Sequence, residues 1–188
     1  FPHANVFYSW GYCDTDFNQV KTISSAELAA ISEGAAQPFR DGSLFRGTAE
    51  SIHGKEASAV FVVSDGKLKP IKSAAIYQAL YNDPNWSLVT WVPDDLLSKF
   101  AYELGTAVDS SAIHPNGSLV RYVGEEMIYL IDNGQKRAFS STVALLANGY
   151  DLNKIVVIPT SEVYIDGSAI GSLADELTTP IFTTALIK

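Results

Sequence analysis

The chain has 188 residues, of which 47% are hydrophobic and 11% aromatic, enough for a packed core, since a chain of this size buries about 70% of its surface. Thirteen Lys and Arg stand against 21 Asp and Glu, for a formal net charge of -8 and a pI near 4.7. So sparse and scattered a positive charge argues against a nucleic-acid or anionic-membrane partner. The single Cys13 excludes an internal disulfide framework, and no apolar run reaches the length of a membrane span. The chain opens on Phe1 rather than Met, which suggests a removed leader or a trimmed terminus; a leader would imply export.

In chain order, Val6, Phe7, Tyr8 and Trp10 form an aromatic cluster that reads as core. Cys13-Asp14-Thr15-Asp16-Phe17-Asn18 alternates oxygen ligands as a calcium loop does, but Gln19 stands where the turn glycine belongs, so a solvated loop is expected. A short capped helix follows over 25–31, ending near Gly34. Asp41-Gly42-Ser43-Leu44-Phe45-Arg46 precedes a polar insertion over 48–58 that carries His53. An apolar strand over 59–63, the turn Asp65-Gly66 and a return strand over 67–71 then spell a hairpin. The helix expected over 73–80 leads through Asn82-Asp83-Pro84-Asn85 to a strand over 89–92. Leu96, Leu97, Phe100, Ala101 and Leu104 share one face of a predicted helix over 96–104, packing inward. Residues 106–115, rich in Ser, Asp and Ala, read as a linker, with His114 an ordinary surface histidine.

The most legible stretch is 127–150. Met127-Ile128-Tyr129-Leu130-Ile131 is an apolar strand, Asn133-Gly134 the dipeptide favoured in a type I′ turn, and Lys136-Arg137-Ala138-Phe139 the return. Ser140-Ser141 offers an N-cap to a short helix, Gly149 a left-handed stop, and 155–158 a buried closing strand before Pro159. The same succession occupies 41–97. Gly66 corresponds to Gly134, and Asp41-Gly42-Ser43-Leu44-Phe45-Arg46 to Asn116-Gly117-Ser118-Leu119-Val120-Arg121. A partial copy opens the chain, where Trp10-Gly11-Tyr12 aligns with Asn148-Gly149-Tyr150. The expected fold is therefore α+β: tandem small β-hairpin/helix/strand units packed against one another, each too small to bury its own face. Its parts are a partial unit over 1–40, a unit over 41–105, the linker 106–115, a unit over 116–167 and a tail over 168–188. Tyr129, Ile131, Ile155 and Val157 are the expected core residues.

No nucleophile elbow, phosphate loop, zinc motif, paired cysteines or dinucleotide fingerprint occurs, so no catalytic, cofactor-binding or metal residue is assigned and no cofactor is expected. Lys136-Arg137, with Lys67 and Lys69, reads as the charge that blunts a sheet edge. Asn85-Trp86-Ser87 and Asn116-Gly117-Ser118 meet the glycosylation pattern at Asn85 and Asn116. The stretch Ile128 to Phe139, with Gly149-Tyr150, 155–158 and Glu162, resembles a tandem module of prokaryotic exported and cell-surface proteins. That resemblance implies an extracellular location and a binding or structural role. The expected function is a non-catalytic exported structural protein, a subunit of a filament or surface layer; the alternative is a glycan- or peptidoglycan-binding module. Its expected partners are copies of itself, head-to-tail, or a surface glycan, with no nucleic acid and no membrane span. Phe7, Trp10, Ile181 and Phe182 are the expected assembly residues. Through them the tail would complete the first unit of a neighbouring copy or of its own chain.

Overall fold

The computed structural model describes residues 1–12, 20–47, 59–93, 96, 102–171 and 186–187. The chain is α+β, with two small mixed sheets and a few short helices. The elements run α1 (Ala4–Ser9), β1 (Val20–Lys21), α2 (Ser25–Ala29), β2 (Leu44–Arg46), β3 (Val60–Ser64), β4 (Lys67–Pro70), α3 (Ala74–Tyr81) and β5 (Val89–Trp91). They continue with β6 (Leu119–Tyr122), β7 (Ile128–Asp132), β8 (Gln135–Ala138), α4 (Thr142–Ala147), β9 (Val156–Ile158), β10 (Ile165–Asp166) and β11 (Leu186–Ile187).

Both hairpins close on two-residue turns, with Ser64 opposite Lys67 and Asp132 opposite Gln135. Asp65 and Gly66 take φ of 56° and 66°, and Asn133 and Gly134 take 51° and 71°. Positive φ at both central residues defines the type I′ turn, which is why Asp-Gly and Asn-Gly stand there. In each sheet the first strand pairs antiparallel with the hairpin and parallel with the closing strand, giving the orders β4-β3-β2-β5 and β10-β8-β7-β6-β9. Serines cap the helices that follow: Ser73 and Ser141 accept from the backbone of Ile76 and Ala144.

The stretch read as a linker in fact extends the first sheet. Leu104 and Val108 bridge in parallel to Leu68 and Ile71, as Asp166 and Ile170 pair with Lys136 and Phe139. Leu104 is therefore extended and half exposed rather than the inward end of a helix; most of that predicted helix lies outside the described residues. The return strand β8 is likewise covered by β10, so Lys136 and Arg137 do not blunt an open edge. Lys136 pairs with Asp166 at 3.2 Å and Arg137 with Asp132 at 3.0 Å. A glycine recurs where the outer strand crosses these side chains: a Cβ on Gly105 would meet Lys69, and one on Gly167 would meet Arg137.

The core alternates along the stack. Val6 of α1 packs with Phe45, Phe61 and Val63 on one face of the first sheet. Its other face, through Leu44 and Val62, joins Tyr77 and Leu80 of α3, and the same cluster takes in Val120, Ile131 and Val156 of the second sheet. The far face of that sheet, Leu119 and Leu130, packs with Leu145 of α4. Ile131 is fully buried as expected, and Tyr129 and Ile155 are partly so. Val157 is not: it is 51% exposed, because Val156 and Ile158 hold the inward parity of the closing strand. Near the C-terminus, Leu186 and Ile187 pair in parallel with Val20 and Lys21 of the same chain.

Candidate functional site

The two sheets meet where corresponding residues touch. A Cβ on Gly42 would run into the carbonyl oxygen of Gly117, and one on Gly117 into the backbone of Asp41 and Gly42. Gly11 and Gly149 are packed the same way, backbone against backbone. All four have positive φ, from 74° to 92°, so both conformation and space demand glycine. Beside them, Asp41 and Asn116 each cap a hairpin turn: Asp41 accepts from the backbone of Asp65 and Gly66 at 2.8 and 3.2 Å, and Asn116 from Gly134 at 3.0 Å. The Asn116 amide also donates to the Asp65 carboxylate, tying the two turns together. Burial raises the Asp41 carboxyl above its usual range despite those backbone donors.

A cleft of about 870 Å³ opens over this junction, lined by Trp10, Arg40, Asp41, Tyr102, Asp132 and Tyr150 among others. Arg40 is 8% exposed, donates to the carbonyl of Asn148 at 2.8 Å, and stacks 3.4 Å over Tyr150 and 5.4 Å from Trp10. The Trp10 indole donates to Pro38 at 2.8 Å. Along the rim, Lys67 pairs with Glu103 and Lys69 with Asp65. Aromatic edges among self-neutralised polar groups suit an uncharged polar ligand better than an anion.

His114, Glu162 and Tyr164 form a buried polar node. His114 is 5% exposed, not a surface residue. Its Nδ1 lies 2.7 Å from Glu162 Oε1 and its Nε2 lies 2.7 Å from the Leu80 carbonyl at the end of α3. Each ring nitrogen thus faces an acceptor, one of them at the C-terminal end of α3. Its backbone N–H donates to Glu162 and to the Tyr164 hydroxyl, at 2.8 and 2.6 Å, and Tyr164 in turn donates to Glu162. Burial opposes ionisation of Glu162, but these donors hold its carboxyl below the usual range.

A like arrangement beside the first sheet holds Phe39, Leu96 and Tyr102. Phe39 donates from its backbone to the Tyr102 hydroxyl at 2.8 Å, and Leu96 and Glu162 donate to Pro93 and Pro159, each at 3.1 Å. The chemistry differs: Phe39, Leu96 and Tyr102 belong to one apolar cluster. Only the sequence offset from Asp41 and Asn116, two residues back, could have signalled that His114 stands where a core phenylalanine does.

Of the expected assembly residues, Phe7 is buried within its own chain and stacks on Tyr12, centroids 4.5 Å apart, while Trp10 is half-buried in the cleft wall. Ile181 and Phe182 lie outside the described residues, as do the calcium-like loop and His53. Asn85 is exposed, whereas the Asn116 amide is engaged between the turns. Among the described residues no three potential ligands converge on a metal position, and no helix is long and apolar enough to cross a membrane. No protein-family model, curated protein or solved structure matches the chain.

Proposed function

We propose that this chain is a non-catalytic, exported structural protein, built of tandem repeat units and serving as a subunit of a cell-surface or extracellular assembly with strand-mediated contacts. The observation that carries this reading is the outer strand β10. It ends the second sheet among the described residues, and Val163 and Ile165, before and within it, are 77% and 74% exposed. Asp166 puts one charge on that strand, but the two exposed β-branched side chains can receive a further strand, and a second copy is the partner at hand. The resemblance to modules of exported proteins supports the location. Light scattering over a concentration series with electron microscopy tests the reading: ordered polymers are expected, and Ile165→Lys should abolish them. A native chain that stays monomeric at every concentration sinks it.

A glycan-binding role is the second reading, favoured by the cleft over the glycine junction. Quenching of Trp10 fluorescence by neutral cell-wall oligosaccharides, lost in Tyr150→Ala, would support it; no saturable response would remove it.

A further inference from the structure

Three parallel strand pairs share one register. Leu44 lies opposite Val89 in the first sheet, and Val120 opposite Val156 in the second, which sets Leu119 against Ile155. In the third pair Leu186 lies opposite Val20 and Ile187 opposite Lys21. The sequences follow the same rule. Leu44-Phe45-Arg46, Leu119-Val120-Arg121 and Leu186-Ile187-Lys188 each run leucine, apolar, basic. Their partners, Val89 to Val92, Ile155 to Ile158 and Val20 to Ile23, each start and end on a β-branched residue. A one-residue slip would reverse every side chain, so agreement in register and pattern is a specific match.

A second observation is independent of β11. The opening segment touches both larger sheets: Val6 of α1 sits in the core of the first, and the Gly11 turn presses against Gly149 after α4. Each of the three therefore contacts the other two, and Arg40 fastens the last junction through its bond to Asn148.

We propose that the edge of β1 is an acceptor groove for the first strand of a repeat unit, and that Leu186–Ile187 of the same chain fills it, closing the three units into a ring. The opening and closing segments then share one composite unit. This goes beyond the assembly reading, which rests on β10 and stands or falls separately.

The test replaces Cys13 with serine, adds Val20→Cys and Leu186→Cys, and oxidises the full chain in dilute solution. Both thiols should be lost with the mass remaining that of a monomer. The bond should form at least about tenfold faster than in an off-register control, Lys21→Cys with Leu186→Cys, which is displaced by one residue along the ladder. A disulfide-linked ladder would overturn closure by showing the strand seated in a neighbour, and equal rates in both variants would overturn the register. A second measurement needs no new cysteine. Truncation after residue 183 should remove amide-exchange protection from Val20 and Lys21, and protection that persists would also reject the proposal.

Discussion

The Phe39–Leu96–Tyr102 corner and the His114–Glu162–Tyr164 corner do the same mechanical job with different chemistry. In both, a tyrosine hydroxyl takes the backbone N–H two residues before the Asp41 or Asn116 cap. The first corner is filled by apolar side chains; the second holds a hydrogen-bonded His–Glu pair that is 3% and 4% exposed. The first corner shows that this backbone does not need charge to fold. A buried pair is weak grounds for stability, since desolvation offsets most of the attraction; what it adds is directionality, here an anchor on the last turn of α3.

That contrast can be broken most severely by removing half of the pair. Glu162→Leu should cost about 3–5 kcal/mol in denaturant melts, because it leaves the buried His114 ring and backbone N–H without their carboxylate partner. Copying the first corner whole, with His114→Phe added, should recover that loss and end between neutral and about 4 kcal/mol more stable than the native chain. A double variant as weak as the single one would show that the corners are not interchangeable. The glycine junction offers an intermediate effect. Gly117→Ala adds a methyl into the Gly42 backbone and should cost more than about 2 kcal/mol, whereas Gly134→Ala faces open space and should cost only the roughly 1–2 kcal/mol of a left-handed alanine.

Acid titration sharpens the comparison further. Both Glu162 and Asp83 have depressed folded-state values. Burial works against the charge on Asp83, but Leu88, Tyr77 and Ser87 donate to it and hold it at about 2. A depressed carboxylate contributes stability that is present above its unfolded value, about 3.9 for Asp and 4.3 for Glu, and lost as pH falls through the folded one. Melts from pH 5 to 2 should therefore fall less steeply in the double variant, which retains the Asp83 component but has lost that of Glu162. Equal slopes would mean that Glu162 is not held down. The smallest effect is expected at Val157→Ala, within about 0.5 kcal/mol since the side chain faces water; a loss above about 1 kcal/mol would reverse its assigned parity.

Much of the local structure was legible because its causes are local. Asp65-Gly66 and Asn133-Gly134 announce their turns, and Ser73 and Ser141 their helices, through the conformations they favour. The outer strands were not legible, since 103–108 and 165–170 are short, interrupted by Gly105 and Gly167, and paired to residues far along the chain; 106–108 read naturally as part of a linker. The closing strand misled for a related reason. In 155–158 every residue is β-branched and apolar, so periodicity cannot say which pair faces inward, and only pairing with β6 decides it. The His–Glu pair escaped because His114 and Glu162 are brought together by that tertiary pairing and share no local motif.

The contacts at Gly42–Gly117 and Gly11–Gly149 act as fulcrums. Where backbone rests on backbone there is no side chain to compress, so the separation of the layers is fixed at its lower limit and tilting is easier than sliding. A methyl wedged at either point would be magnified along the sheets, prising open the walls between Trp10 and Asp132. Gly117 itself lines the cleft, so the Gly42–Gly117 contact bounds one of its walls.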